Sequence, residues 1–432
     1  MNIKGKNVLV YGLGKSGRSA LNLLARKEAN CFAFDDDYEK RALLRNNEKW
    51  ESDFSNVDIV VLSPSISGYR PEIMDLRLLG KQVISEIELG YQFCDAELIA
   101  VSGTNGKTTT TMLIDEVLRA GANHSVAVGN IGTPFCELCD GLKTYETAVV
   151  EVSSFQLEAI NKFSPDIAVL LNITPDHLDR HKSFEDYIAT KARLFENQTE
   201  CDIAVLNMDD ENVAKLKNQI IAKIVPFSLT KKVDGVYIEN GYVRYFDTPV
   251  LCAEELQFKG RELENVLATV AVAMEKHIHP FVIACAMKRF KRPEHRLQFV
   301  RCAGEKKYIN DSKATNIDAT LCACTTMTNS TLLVLGGQDK DDDFRTLFEN
   351  LPKNITRIFV TGENAKDIEH SGKYIGFQNI TVFDSLEECV LNTVGAEEQT
   401  VLFSPASKSF DRYKNYAERG KHFCQLVENL ND

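Results

Sequence analysis

"VSGTNGKTTT", residues 101–110, joins an apolar run to a helix-like stretch through two glycines, with a lysine and a threonine opening the helix. Backbone N–H groups between Gly103 and Gly106, including those of Thr104 and Asn105, can cradle phosphates at a helix N-terminus; Thr109 continues that first turn. Lys107 can reach terminal phosphates and Thr108 can hold Mg²⁺. Against the GxxxxGK[ST] spacing, Val101 stands where the first glycine belongs, while the GTxGKT form is intact. A strand, a glycine turn and a helix in that order predict an α/β fold.

Downstream, "TAVVEVSS" carries Glu151 inside an apolar strand, where a carboxylate is costly unless it is paired or bound to metal. After a phosphate loop, a strand-end acid is where Mg²⁺ is organised. The next strand, "IAVLLNI", runs into "TPDHLDRH", which puts Asp176, His177, Asp179 and His181 just past a strand's carboxyl end, the usual site edge in open α/β sheets. His177 is the functional candidate among them. In "SFEDYIATKARLF", Lys191 shares the helical face of Phe184, Tyr187 and Ile188. A lysine there either snorkels outward or, with its pKa lowered, stays neutral and accepts CO₂ as a carbamate. The helical count leaves both open. "VYIENGYVRYF" reads as a hairpin turning at Asn240-Gly241, and "LENVLATVAVAMEK" as an amphipathic helix.

Upstream, "YGLGKSG" (11–17) fills the three glycine places of a dinucleotide fingerprint with Gly12, Gly14 and Gly17, and Asp35 ends the next apolar run where a ribose-binding acid would sit. Taken alone this suggests a nicotinamide dehydrogenase. A triphosphate loop in the same chain argues instead for ATP plus a second nucleotide ligand. Beyond residue 294 a third strand series carries "YINDSKATN", "LGGQDKDDDF" and "FSPASKSFDRYKN", whose Asp311, Ser312, Lys313, Thr315, Asn316, Lys340 and Ser409 follow strands and could hold an anionic substrate. The chain therefore divides into 1–93, 94–293 and 294–432.

A length of 432 residues suits two or three domains. Sixty-two acidic against fifty basic side chains give a net charge of −12, which disfavours a phosphate backbone as partner. No signal peptide precedes the first strand and no run is long enough to span a membrane, so a cytoplasmic location is expected, without nucleic-acid binding or membrane insertion. The twelve cysteines show no framework spacing and read as reduced thiols; Cys136 and Cys139 lack the second pair that a zinc site needs.

"GTNGKTTT", "EVSSFQLE", "NITPDHLDRH", the lysine-bearing helix, "PEHR" and "NDSKATN" occur in the order found in the Mur ligases, which the chain resembles over its whole length. The resemblance implies a Rossmann-like UDP-binding domain, a central P-loop ATPase-like domain with a parallel sheet, and a C-terminal Rossmann-like domain. "NDSKATN", "GLGKSG" and "SPASKSFDRYKN" look like the family member that adds D-glutamate to UDP-N-acetylmuramoyl-L-alanine in peptidoglycan precursor synthesis. By resemblance, Lys107, Asn130, His177 and Lys191 are catalytic. ATP contacts fall on Gly103, Thr104, Asn105, Gly106, Lys107, Thr108, Thr109, Asn265, Arg296 and Asp311. The UDP substrate falls on Gly14, Ser16, Gly17, Asp35, Asp36, Ser63 and Asn130, and D-glutamate on Lys313, Thr315, Lys340, Ser409 and Phe410. Thr108, Glu151, His177 and a carbamylated Lys191 would hold two Mg²⁺ ions. A monomer is expected, with the third domain closing about a hinge near 290–296 to keep water from an acyl phosphate.

The chain departs from the family where "KGRELEN" keeps Asn265 but lacks the usual His-Asn pair, and where Ser65 and Tyr416 replace a common glycine and phenylalanine. Another Mur-type or folylpolyglutamate-type amide ligase is the nearest alternative. A P-loop nucleotide switch without chemistry is the next.

Overall fold

The structure is a computed structural model and describes residues 1–178, 180–339 and 342–430. Among these residues the strands gather into three sheets. The first contains β1 (Asn7–Tyr11), β2 (Asn30–Phe34), β3 (Glu48–Trp50), β4 (Ile59–Leu62) and β5 (Gln82–Ser85) in the order β3-β2-β1-β4-β5, all parallel. The order reverses at β1. The glycine turn that leaves β1 therefore sits at the switch point, where such sheets open a crevice.

The second sheet contains β6 (Glu97–Ser102), β7 (His124–Gly129), β8 (Glu146–Glu151), β9 (Ile167–Leu170), β10 (Ile203–Asn207), β11 (Lys223–Ser228), β12 (Val236–Glu239), β13 (Tyr242–Tyr245) and β14 (Thr248–Cys252). Its order is β14-β13-β12-β11-β10-β9-β6-β8-β7, parallel from β12 to β7 and antiparallel across β12, β13 and β14. With β8 on one side of β6 and β9 on the other, the loop after β6 also leaves from a switch point. Ile99, Ala100, Val101, Val149, Val150 and Val169 are fully buried, as central parallel strands covered on both faces require. The β12–β13 hairpin turns at Asn240 (φ 52°) and Gly241 (φ 79°), the left-handed pair that the Asn-Gly signal predicts.

One expectation changes. The helix Leu263–Glu275 is buried all round from Val266 to Ala273 rather than amphipathic. Its alanines and valines leave no polar face to meet water, so it packs as an interior helix.

The third sheet contains β15 (Gln298–Ala303), β16 (Lys306–Asn310), β17 (Thr331–Leu335), β18 (Ile355–Val360), β19 (Ile380–Val382) and β20 (Thr400–Phe403), ordered β15-β16-β20-β17-β18-β19, with β15 antiparallel. Alternate residues of its strands point to opposite cores. Leu333, Leu335, Ile358 and Leu402 face the helices Ile317–Thr325 and Ala365–Ile375, while Leu332, Val334, Phe359 and Val401 face Leu386–Thr393 and Tyr416–Glu428.

The chain divides into two compact units, residues 1–256 with 264–289 and residues 257–263 with 290–432. Both nucleotide-type loops lie in the first unit, and one hydrophobic cluster runs through its two sheets, from Val8, Val10 and Val61 to Val128, Val150 and Leu170. No helix among the described residues is long and apolar enough to cross a membrane. All twelve cysteines are free thiols, with Cys136 and Cys139 buried.

Candidate active site

Gly103 (φ 153°) and Gly106 (φ 85°) turn the chain from β6 into the helix Lys107–Ala120. A Cβ on Gly106 would meet the Asn265 carboxamide oxygen at 2.4 Å, so glycine is needed both for the backbone and for that close approach. The same Asn265 oxygen accepts from Thr110 Oγ1 at 3.1 Å. The loop is held from the neighbouring strand end by Asn172: its carbonyl accepts from Thr104 N at 2.9 Å, its Oδ1 accepts from Asn105 N at 2.8 Å, and its Nδ2 donates to Asn105 O at 3.2 Å. Thr104 Oγ1 also pairs with Tyr187 Oη and with Thr174 O, both at 3.1 Å.

Two lysines meet on this loop. Lys107 Nζ donates to Gly103 O and Thr104 O, and Lys191 Nζ donates to Gly103 O, all at 2.8 Å. Lys191 is 1% exposed, with its amine 4.8 Å from the Tyr187 ring centre, so it does not snorkel. Burial, reinforced by the nearby Lys107 charge, pushes its pKa well below the ordinary lysine value.

Glu151 ends β8 and is 2% exposed. Its Oε1 accepts from Asn130 Nδ2 at 2.8 Å, while its Oε2 is buried with no hydrogen-bond partner among the described residues. A buried carboxylate oxygen without a donor is costly, and a hard cation satisfies it. That orphaned oxygen, with Thr108 at the start of the phosphate-loop helix, fits Mg²⁺. No group of three or more His, Cys, Asp or Glu side chains suited to a metal occurs among the described residues. Mg²⁺ needs only one or two carboxylates when phosphates and water complete its shell.

His177 lies on the loop after β9 at φ 57°, a left-handed backbone uncommon for non-glycine residues, with its ring centre 4.7 Å from that of Phe155. His181 is buried, its Nε2 3.1 Å from Ser154 Oγ, and burial lowers its pKa. Asp179 lies outside the described residues. Arg180, which the motif reading passed over, bonds to Glu158 and to the backbone after β4.

In the first sheet Gly14 caps the helix Lys15–Arg26, on whose first turn Ser16 sits. Gly17 packs so tightly that an added Cβ would lie 1.8 Å from Gly12 O. Ser63 Oγ donates to that same carbonyl at 2.7 Å, tying the ends of β1 and β4 across the crevice. Asp35 accepts from Leu13 N at 2.6 Å, Asp37 N at 3.0 Å and Lys40 Nζ at 3.0 Å. Burial opposes its ionisation, but those donors outweigh it and hold its pKa below the ordinary value. Asp36 forms a two-pronged pair with Arg70 (2.7 and 3.0 Å) and accepts from Tyr11 Oη at 2.8 Å.

The second unit carries Arg296, Asp311, Lys313, Thr315, Ser409 and Phe410. The Asp311 carboxylate accepts from Ser404 Oγ at 2.8 Å and Leu297 N at 3.1 Å, and burial raises its pKa to about 7. Lys313 Nζ sits 5.0 Å from the ring centre of Tyr416. Ser409 is buried and Phe410 exposed. Buried Arg419 donates to Ser312 Oγ and O and to Lys408 O, holding the two polar loops together. Lys340 lies outside the described residues.

The motif reading missed Asn172, Tyr187, Arg180 and Arg419. Only "NIT" and the helical spacing of Tyr187 from Lys191 gave any signal for two of them, because Asn172, Arg180 and Arg419 act on backbone, and Tyr187 on the Thr104 hydroxyl, from distant parts of the chain.

Parallel sheets with a glycine-lysine loop at a switch point define a phosphate-loop α/β protein. Residues 101–273 match the Mur ligase middle domain and residues 295–407 the Mur ligase glutamate ligase domain. Proteins of Clostridioides difficile (strain 630) and Lachnoclostridium phytofermentans, both named UDP-N-acetylmuramoylalanine--D-glutamate ligase, are 37% and 35% identical to this chain, each over 100% of both proteins. The chain belongs to the Mur ligase family. Its fold is similar to that of the MurF ligase from Thermotoga maritima solved with ADP (TM-score 0.62, 17% identity, 99% of this chain and 96% of that one). It is also similar to the UDP-N-acetylmuramate-alanine ligase of the same organism (TM-score 0.61, 20% identity, 98% and 99%).

Proposed function

We propose that this protein is an ATP-dependent amide ligase that adds D-glutamate to UDP-N-acetylmuramoyl-L-alanine, a cytoplasmic step in making peptidoglycan precursors for the cell wall. The substrates rest on the full-length similarity to ligases of that name. The observation that carries the chemistry is the pair of lysines on Gly103 O beside a phosphate loop, one of them buried and depressed in pKa.

The terminal carboxylate of the substrate takes the γ-phosphoryl group of ATP, releasing ADP. The amine of D-glutamate attacks the acyl phosphate, and the tetrahedral adduct expels phosphate and leaves the amide. Loop N–H groups and Lys107 bind the phosphates, with Thr108 and Thr109 on the first helical turn and Asn265 packed against Gly106. Mg²⁺, when bound, neutralises phosphate charge; Thr108, Glu151, His177 and Lys191 as its carbamate would hold two such ions. The carbamate forms when the neutral Lys191 amine bonds to CO₂ and loses a proton. Asn130, fixed by Glu151, orients the substrate. Gly14, Ser16, Gly17, Asp35, Asp36 and Ser63 take the UDP portion, so the fingerprint serves uridine diphosphate rather than a nicotinamide. Arg296 and Asp311 contact ATP, and Lys313, Thr315, Lys340, Ser409 and Phe410 take D-glutamate. The domains are 1–93, 94–293 and 294–432, the first and third Rossmann-like and the second ATPase-like.

A coupled phosphate-release assay tests this. Release must require both UDP-N-acetylmuramoyl-L-alanine and D-glutamate. Turnover with L-glutamate on a folate, with another amino acid, or without any acceptor would defeat the proposal.

A further inference from the structure

We propose that Arg180 is a positioning residue that couples the backbone loop after β4 to His177. The inference rests on the functional reading above, in which that loop follows Ser63 in the UDP-substrate crevice. The Arg180 guanidinium donates from Nη1 to Pro64 O at 2.5 Å and from Nη2 to Ile66 O at 3.0 Å. It also grips Glu158 through Nε and Nη2 at 2.9 and 2.8 Å, and Glu158 Oε2 accepts from Gly68 N at 3.2 Å. Three backbone groups between Pro64 and Gly68 are thus held by one ion pair, whose side chains are 13% and 4% exposed.

The same guanidinium lies 3.9 Å from the centre of the Phe155 ring, and that ring is in turn 4.7 Å from the imidazole of His177. Arg180 stands three residues after His177, and its N–H donates to His177 O at 3.0 Å. The left-handed backbone at His177 persists only where its surroundings hold it; Arg180 and Phe155 share that work with Asp176, whose Oδ1 accepts from His177 N at 2.9 Å, and with His181, whose N–H donates to His177 O at 3.0 Å. A planar fork that hydrogen-bonds by its edge and stacks by its face can make both connections at once, which an ammonium cannot. A sugar nucleotide settling on residues 63–68 therefore moves the guanidinium, and through Phe155 the imidazole, before ATP is needed.

Imidazole NMR tests the coupling, with the His177 signal assigned by His177→Gln. UDP-N-acetylmuramoyl-L-alanine alone, without ATP or Mg²⁺, is expected to shift that signal in the wild type but not in saturated Arg180→Lys. In turnover, Arg180→Lys is expected to lose about 10- to 100-fold in kcat while KM for ATP holds. An equal shift in Arg180→Lys, or a rise in KM for the sugar nucleotide with kcat intact, would overturn the coupling. Should Arg180→Lys not fold, Phe155→Leu keeps the ion pair, removes the ring and must also lose the shift; a retained shift overturns the proposal. Binding to the wild type with His177 unmoved overturns this inference alone, whereas no binding at all overturns the functional reading with it.

Discussion

Lys107 and Lys191 donate to one and the same acceptor, the carbonyl of Gly103, each at 2.8 Å. Burial, helped by repulsion from the Lys107 charge on the same oxygen, lowers the pKa of Lys191 well below the ordinary lysine value. A neutral amine at Lys191 is the form that can attack CO₂. Lys191→Ala is expected to lose about 100-fold or more in ligation rate and to recover part of it when formate or acetate supplies a carboxylate in the vacated space. Phosphate release by the variant at the wild-type rate would exclude a carbamate role.

Glu151 presents one satisfied and one unsatisfied oxygen, and the unsatisfied one explains why so buried an acid is kept. Glu151→Gln keeps the shape and an oxygen for Asn130 but removes the charge. The Mg²⁺ concentration for half-maximal activity should rise about tenfold or more, with folding unchanged by circular dichroism. An unaltered Mg²⁺ titration would show that this oxygen is not a metal ligand.

Gly17 tests the first crevice. A methyl group there would be driven to 1.8 Å from Gly12 O and 2.8 Å from Ser63 Oγ, and a backbone carbonyl cannot step aside. Gly17→Ala should lose about 2 kcal/mol of stability and weaken UDP-substrate binding in calorimetry while ATP binding persists. Gly14→Ala, whose added carbon meets nothing within 4 Å, should melt with the wild type.

What the sequence disclosed follows the range of the interactions. The loop at Gly103–Thr108, the turn at Asn240-Gly241 and the acid at Asp35 are set by residues a few places apart, or by the fixed spacing of a βαβ unit, so patterning reveals them. Lys191 needed more: its helical face was visible, but only Gly103, 88 positions away, decides that the amine is buried rather than snorkelling. Asn172 showed only as the bare "NIT" and Arg180 not at all, since each works on backbone carbonyls and N–H groups that carry no side-chain signature. The helix at 263–275 was misjudged for a related reason, because a short apolar run cannot reveal how many neighbours cover it.

Buried Glu86 lies outside all of this chemistry and makes stability depend on pH. Its Oε1 accepts from Cys136 N at 2.7 Å, Oε2 has no partner among the described residues, and burial raises the pKa from 4.5 to about 7. Between those values the folded chain holds the proton and the unfolded chain has released it, so stability falls as pH rises through the window. The loss is complete above about 7 and amounts to the order of 3 kcal/mol, from 2.5 pH units at about 1.4 kcal/mol each. Glu86→Gln carries no such proton. In urea titrations at pH 5 and pH 8, the variant is expected to gain on the wild type by that amount at the higher pH, because every other titrating group cancels in the comparison. Curves that stay parallel across the two conditions would mean that Glu86 ionises in the folded protein at its ordinary pKa.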